Sequence, residues 1–118
     1  MIEILKPDFE FSDERGKLTQ LVNSGFKQIN VIKSKADVKR GGHYHKLNKE
    51  AFYIIEGELD LFVKKDGCKE EYHFSSGDMF LINEFVFHDF FFTTETILVS
   101  MYDNGVELEL GKKDIYTA

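Results

Sequence analysis

Cysteine occurs once, at position 68, so no disulfide can form within the chain and a reducing compartment is expected. Tryptophan is absent and proline occurs once, and no Pro-rich linker or low-complexity tract divides the sequence. No apolar stretch reaches the ~18 residues of a membrane span, and no apolar run follows the first basic residue as a signal peptide would require. The expectation is a cytoplasmic protein without a membrane partner. Arginine is scarce as well: Arg15 and Arg40 are the only two, and a glycine follows each. The formal net charge of −6 leaves no basic surface of the kind a nucleic-acid partner needs.

Phenylalanine, by contrast, is abundant, with 12 among 118 residues. Aromatic and β-branched residues in short runs between turn-forming clusters read as strands. Nine segments qualify: Ile2–Leu5, Lys17–Leu21, Gln28–Lys33, Ala51–Glu56, Glu58–Lys64, Glu71–Phe74, Met79–Ile82, Val86–Thr93 and Ile97–Met101. Turn chemistry separates them, as in Asp13-Glu14-Arg15-Gly16, Arg40-Gly41-Gly42 and Ser75-Ser76-Gly77-Asp78. Asp66-Gly67 is the clearest hairpin signal. No window longer than about ten residues carries a helical period. The length suits one domain covering residues 1–118. Many short strands must hide their edges, so an all-β chain closed as a barrel or, better, a jelly roll is expected.

The stretch Arg40-Gly41-Gly42-His43-Tyr44-His45-Lys46-Leu47-Asn48-Lys49-Glu50 carries most of the chemistry. In extended backbone, residues two apart share a side, so His43 and His45 project together. Glu50 opens the next strand on the face of Phe52 and Ile54, which must be the interior. Later, His88 shares a side with Phe90 and Phe92, and a buried imidazole there needs a partner. Three imidazoles and one carboxylate suit a divalent transition metal held by His43, His45, Glu50 and His88. His73, after Glu70-Glu71-Tyr72, reads as a surface residue, and Cys68 as an idle residue of a hairpin turn.

These spacings resemble the two motifs of the cupin superfamily. His43, His45, Glu50 and Gly57 match the first, and Gly77 to His88 spans the length of the second. The chain departs from the pattern at three places: Asp37 stands where the first motif opens with glycine, and Asn83 and Phe85 stand where the second has proline and glycine. The resemblance implies a single-domain cupin jelly-roll β-barrel.

Three further segments, Asp13-Glu14-Arg15-Gly16-Lys17-Leu18, the Arg40–Lys46 run and the tail Lys113-Asp114-Ile115-Tyr116, narrow it. Together they resemble the nucleotide-sugar branch: 3,5-epimerases, 3,4-ketoisomerases and the cupin domain of capsule-biosynthesis reductases. That resemblance implies an isomerase or epimerase in surface polysaccharide biosynthesis, acting on a dTDP- or UDP-linked keto sugar. It implies His43 and His45 as catalytic residues, and Arg15, Arg40 and Lys46 as substrate-binding residues, with no organic cofactor. Arginine suits a diphosphate because its planar fork binds bidentately. Tyr53 and Tyr102 are acids without a motif assignment. As the resemblance has it, ketoisomerases carry glutamine at the position of Glu50 and work without a metal. A metal centre and a metal-free site are thus both open. Two other readings stand beside this one: a metal-dependent cupin of dioxygenase type, and a non-catalytic sugar-binding module. A homodimer is expected to cover exposed apolar sheet surface.

Overall fold

The computed structural model describes residues 1–117. In chain order the strands are β1 (Ile2–Leu5), β2 (Phe9–Asp13), β3 (Gly16–Gln20), β4 (Gln28–Ser34), β5 (Val38–Tyr44) and β6 (Glu50–Glu56). They continue as β7 (Glu58–Lys65), β8 (Cys68–Ser75), β9 (Met79–Ile82), β10 (Phe87–Phe92), β11 (Thr96–Tyr102) and β12 (Tyr116–Thr117), with one 3-10 turn at Glu109–Gly111. All nine expected strands form, with ends moved by up to three residues. Among the described residues β2, β5 and β12 are additional.

Two five-stranded antiparallel sheets face each other, one in the order β1-β9-β6-β11-β4 and the other β12-β5-β10-β7-β8. The jelly roll is therefore present. Its interior is filled by phenylalanines that stack in a chain: Phe74 on Phe80 at 4.2 Å between centroids, Phe80 on Phe52 at 5.1 Å, and Phe52 against Phe90 at 5.0 Å. Offset aromatic pairs of this kind add about 0.5–1.5 kcal/mol each beyond area burial. Much of the outer face of the first sheet is buried as well, while Ile29 and Val31 of β4 on that face stay exposed. Ala51, Met79, Leu81, Val99 and Met101 pack there against Leu21, Val22 and Phe26 from the chain between β3 and β4. That is why β9 and β11 read as continuous apolar runs rather than alternating ones.

The hairpin of β2 and β3 pairs only with itself. Phe9, Phe11 and Leu18 share one of its faces and are about half exposed. Opposite chain ends of the sheets meet at a single-residue link, Gly57, between β6 and β7. Its φ of 103° is left-handed, and a Cβ there would collide with the backbone oxygen of Glu95 and the side chain of Thr96.

The departures from the cupin pattern have a conformational signature. Asp37 (φ 61°) and Phe85 (φ 64°), at two of the positions where the motifs carry glycine, both hold left-handed backbone. The turn geometry survives the loss of the residue that adopts it most easily. Asp66 and Gly67, at φ 51° and 81°, form the two-residue turn expected between β7 and β8.

Candidate functional site

Strict alternation along β5 would turn Val38, Arg40, Gly42 and Tyr44 inward and both histidines outward. A β-bulge prevents this. On β10, His88 pairs with His43 and Asp89 with Gly41, so Gly42 is the extra residue. Gly41 and Gly42 both have positive φ, and a Cβ on Gly41 would stand 2.9 Å from the His88 backbone oxygen. The two glycines therefore make the parity change that brings His43 to the inside. Tyr44 is left on the outside, stacked on Tyr116 of β12 at 5.5 Å.

His43, His45 and His88 converge, each offering a ring nitrogen within 4.8 Å of the others. His45 and His88 are buried, and His43 is half-buried. Nδ1 of His45 donates to the backbone oxygen of Asp114 at 2.6 Å, and Nδ1 of His88 to that of Val86 at 3.1 Å. A carbonyl oxygen only accepts, so these bonds fix the Nδ1 protons and turn both Nε2 atoms toward Glu50. Its Oε1 lies 3.1 Å from Nε2 of His45 and 3.7 Å from Nε2 of His88. The other carboxylate oxygen accepts from Ser100 Oγ at 2.5 Å. Imidazoles anchored through the far nitrogen, beside an anchored carboxylate, are a donor set that fits a first-row divalent metal.

The three imidazoles differ electrostatically. Burial, and then the neighbouring His45, hold His43 below its ordinary value. Burial drives His88 down to about 4, against the opposing pull of Glu50. For His45, burial is outweighed by the bonds to Glu50 and Asp114, and its pKa rises. With Nδ1 already committed to Asp114, His45 can donate to Glu50 only as the imidazolium. Burial, followed by the field of Glu50, pushes the Tyr102 phenol upward.

A cavity of about 160 Å³ fronts this cluster, lined among others by His43, Glu50, His88, Tyr102 and Arg40. Only Arg40 and Gly41 of its lining are exposed, so the cavity opens there. His45 does not line it and stands behind His43, their rings 5.0 Å apart. A larger cleft of about 380 Å³ lies outside the second sheet by Phe62, Lys64 and Phe87, but no histidine faces it.

Of the other expected site residues, Arg15 sits at the tip of the β2–β3 hairpin, 80% exposed and paired with Asp13 at 2.6 Å. Lys46 lies outside the cavity with its Nζ 4.2 Å above the Tyr116 ring. Neither is brought to the cavity within one chain. Tyr53 points to the outer face of the first sheet. His73 is exposed, as expected, and bonds Asp60 at 2.7 Å.

The structure adds three supporting residues. Ser100 holds Glu50, and its one signal was a polar residue within the apolar run of β11. Asp114 is fully buried: its side chain accepts from the amides of Lys46 and Leu47, both at 2.9 Å, and from Asn48 Nδ2 at 2.8 Å. Asn48 in turn accepts from the amides of Asn104 and Gly105. These bonds, with that of His45, tie the loop from His45 to Glu50 repeatedly to the tail.

Residues 11–105 match the family model of the polysaccharide biosynthesis C-terminal domain. No curated protein matches the chain by sequence. Among solved structures, the WlaRB TDP-quinovose 3,4-ketoisomerase of Campylobacter jejuni superposes with a TM-score of 0.80 at 17% identity, over 96% of this chain and 92% of that one. QdtA, a sugar 3,4-ketoisomerase of Thermoanaerobacterium thermosaccharolyticum in complex with TDP, gives 0.76 at 18%, over 86% and 80%. A dTDP-4-dehydrorhamnose 3,5-epimerase of Sulfolobus tokodaii gives 0.73 at 20%, over 86% and 69%. At these identities the likeness establishes the fold as that of these cupins.

Proposed function

The chain belongs to the polysaccharide biosynthesis C-terminal domain family, and from that premise we propose that it is an isomerase or epimerase of a nucleotide-linked keto sugar. One observation carries the proposal: half-buried His43 faces a cavity of about 160 Å³ whose opening is marked by Arg40. Moving a carbonyl or inverting its neighbour requires taking a proton alpha to it, stabilising the enediolate, and returning a proton elsewhere.

His43 suits the base: its lowered pKa keeps it neutral at pH 7, and it reaches the cavity. His45 does not reach the cavity. As an imidazolium beside Glu50 it supplies positive charge behind the reacting centre and holds Glu50 in place. Tyr102 lines the cavity, and its raised pKa keeps the hydroxyl protonated to donate toward an oxyanion. Arg40 takes the phosphates at the opening. With a divalent metal bound, His43, His45, Glu50 and His88 would instead be its ligands, His45 as a neutral imidazole and His43 without the base role, and the metal would supply Lewis-acid polarisation of the keto oxygen.

Arg15 enters through a homodimer. The β2–β3 hairpin, with bare Phe9, Phe11 and Leu18, needs a partner surface, and a second copy would seat the hairpin and carry Arg15 toward that copy's cavity.

The test is incubation with dTDP-4-keto-6-deoxyglucose in deuterium oxide. Deuterium at C4 of a 3-keto product marks a ketoisomerase, deuterium at C3 alone a C3 epimerase, and deuterium at C3 and C5 a 3,5-epimerase. No incorporation from several nucleotide sugars refutes the proposal. The histidine triad also favours a second reading, a metal-dependent cupin oxygenase, which predicts bound iron and dioxygen uptake instead. A sugar-binding module without activity predicts ligand affinity that survives His43→Ala and no deuterium uptake.

A further inference from the structure

We propose that the seam beside Arg40 is an anion subsite that takes the diphosphate, with Lys33, Lys35 and Lys39 as its cations; this rests on the nucleotide-sugar reading. The cavity at the histidines is about 160 Å³, below the ~300–1,000 Å³ of sites that enclose a drug-sized ligand. It has space for a sugar ring, and a nucleotide must lie outside its opening. The opening is at Arg40, where β4 and β5, joined by the turn after Ser34, part from one another.

Directly outside lies a second cleft of about 380 Å³, which shares Arg40 with the cavity and is lined also by Lys33, Lys35 and Lys39. No acidic residue lines it; Asp37, in the connecting turn, is not part of its wall. Nε of Arg40 donates to the buried Ser34 Oγ at 3.3 Å, which fixes the guanidinium and leaves its two terminal nitrogens without a partner among the described residues. None of the three lysines has an ion pair among the described residues, whereas Lys17 and Arg15 do. Four cations within positions 33–40, in a chain of net charge −6, concentrate positive potential where a dianion would have to sit.

The experiment is calorimetric titration of thymidine diphosphate and of inorganic pyrophosphate. It compares the wild type, a triple variant (Lys33→Gln, Lys35→Gln, Lys39→Gln), and a control triple on the far side (Lys64→Gln, Lys65→Gln, Lys69→Gln). The seam variant should bind both ligands about tenfold more weakly, each partly exposed charge pair contributing a factor of about 1.5 to 5. Its affinity should also depend less on salt, while the control matches the wild type. Seam-variant binding equal to wild type in strength and salt dependence overturns the proposal, as does a wild type that binds neither ligand. Pyrophosphate binding that the seam variant loses, in a protein inert toward every nucleotide sugar, supports the subsite and sinks the nucleotide-sugar reading alone.

Discussion

Replacing Asp114 by alanine should unfold the site from a distance of 69 residues along the chain. Its side chain is inaccessible to solvent and accepts three hydrogen bonds, from the amides of Lys46 and Leu47 and from Asn48 Nδ2. Each donor orphaned in a buried setting costs about 1–3 kcal/mol. The two amides are only partly buried and regain some hydration, and Asn48 Nδ2 keeps its bond to Gly105. The sum is about 3–5 kcal/mol, a large share of the ~5–15 kcal/mol that holds a domain together. In urea, with a slope of roughly 1–3 kcal/mol per molar, the midpoint should fall by about 2 M. Asp114→Asn keeps one acceptor but sets an amide against the donors, and should lose about half as much. A nitrogen–proton correlation spectrum of the histidines gives a second readout, because His45 loses the fixed position of the carbonyl that binds its Nδ1. A loss below about 1 kcal/mol, or unchanged His45 signals in a destabilised variant, would refute the reasoning.

Gly57→Ala should cost at least about 3 kcal/mol, because left-handed backbone and collision with Glu95 and Thr96 act together; a variant melting near the wild type would contradict this. Phe85→Gly should raise stability by about 0.5–1 kcal/mol, relief of left-handed strain exceeding the added chain entropy, whereas Phe85→Ala should gain nothing. In the metal-free protein, His88 has a folded pKa of about 4, below the ~6.5 of the unfolded chain. Its contribution is complete above pH ~6.5 and is lost as the pH falls toward 4, amounting to about 3 kcal/mol. His88→Gln should remove that part of the acid sensitivity, read as the difference in urea midpoints between pH 7 and pH 4.5. His45 has the opposite sign: its raised pKa stabilises below the unfolded value, and the contribution disappears as the pH rises through the folded one. His43→Asn should lower turnover of the keto-sugar substrate by about 10²–10⁴-fold with little change in melting temperature, since His43 is half-buried and serves the cavity rather than the core.

Much of this architecture is local in origin, which is why it could be read from the sequence. Asp66-Gly67 specifies its own turn, and the alternation of His88, Phe90 and Phe92 specifies its own inward face. The strands that escaped reading are those whose partners are remote or missing. β12 is two residues long and exists because Tyr116 and Thr117 find the edge of β5. β2 carries Phe9 and Phe11 on a face with nothing beneath it in one chain, so its alternation gives no hint of burial. The outer face of the first sheet was hidden for a related reason. Covered by Leu21, Val22 and Phe26, it erases the polar half of the strand pattern in β6, β9 and β11.

At the site, the membership of the cluster was legible and the division of labour was not. Two histidines two positions apart in extended chain must share a side, and they do. But which side depends on the bulge at Gly42, and the bulge is defined only by the pairing of β5 with β10. The difference between the histidines arises just beyond that strand. β5 ends at Tyr44, so His43 is still held against β10 and opens to the cavity, whereas His45 has entered the loop and turns under the tail. There the carbonyl of Asp114 accepts a hydrogen bond from Nδ1 and Glu50 faces the other nitrogen. A motif read along the chain treats the two imidazoles as equivalent. For one, the bonds to Glu50 and to the Asp114 carbonyl outweigh burial and raise the pKa; for the other, burial and the neighbouring His45 prevail and lower it. On the proposed reading, the base and the charge that supports it come from the same residue type, two positions apart.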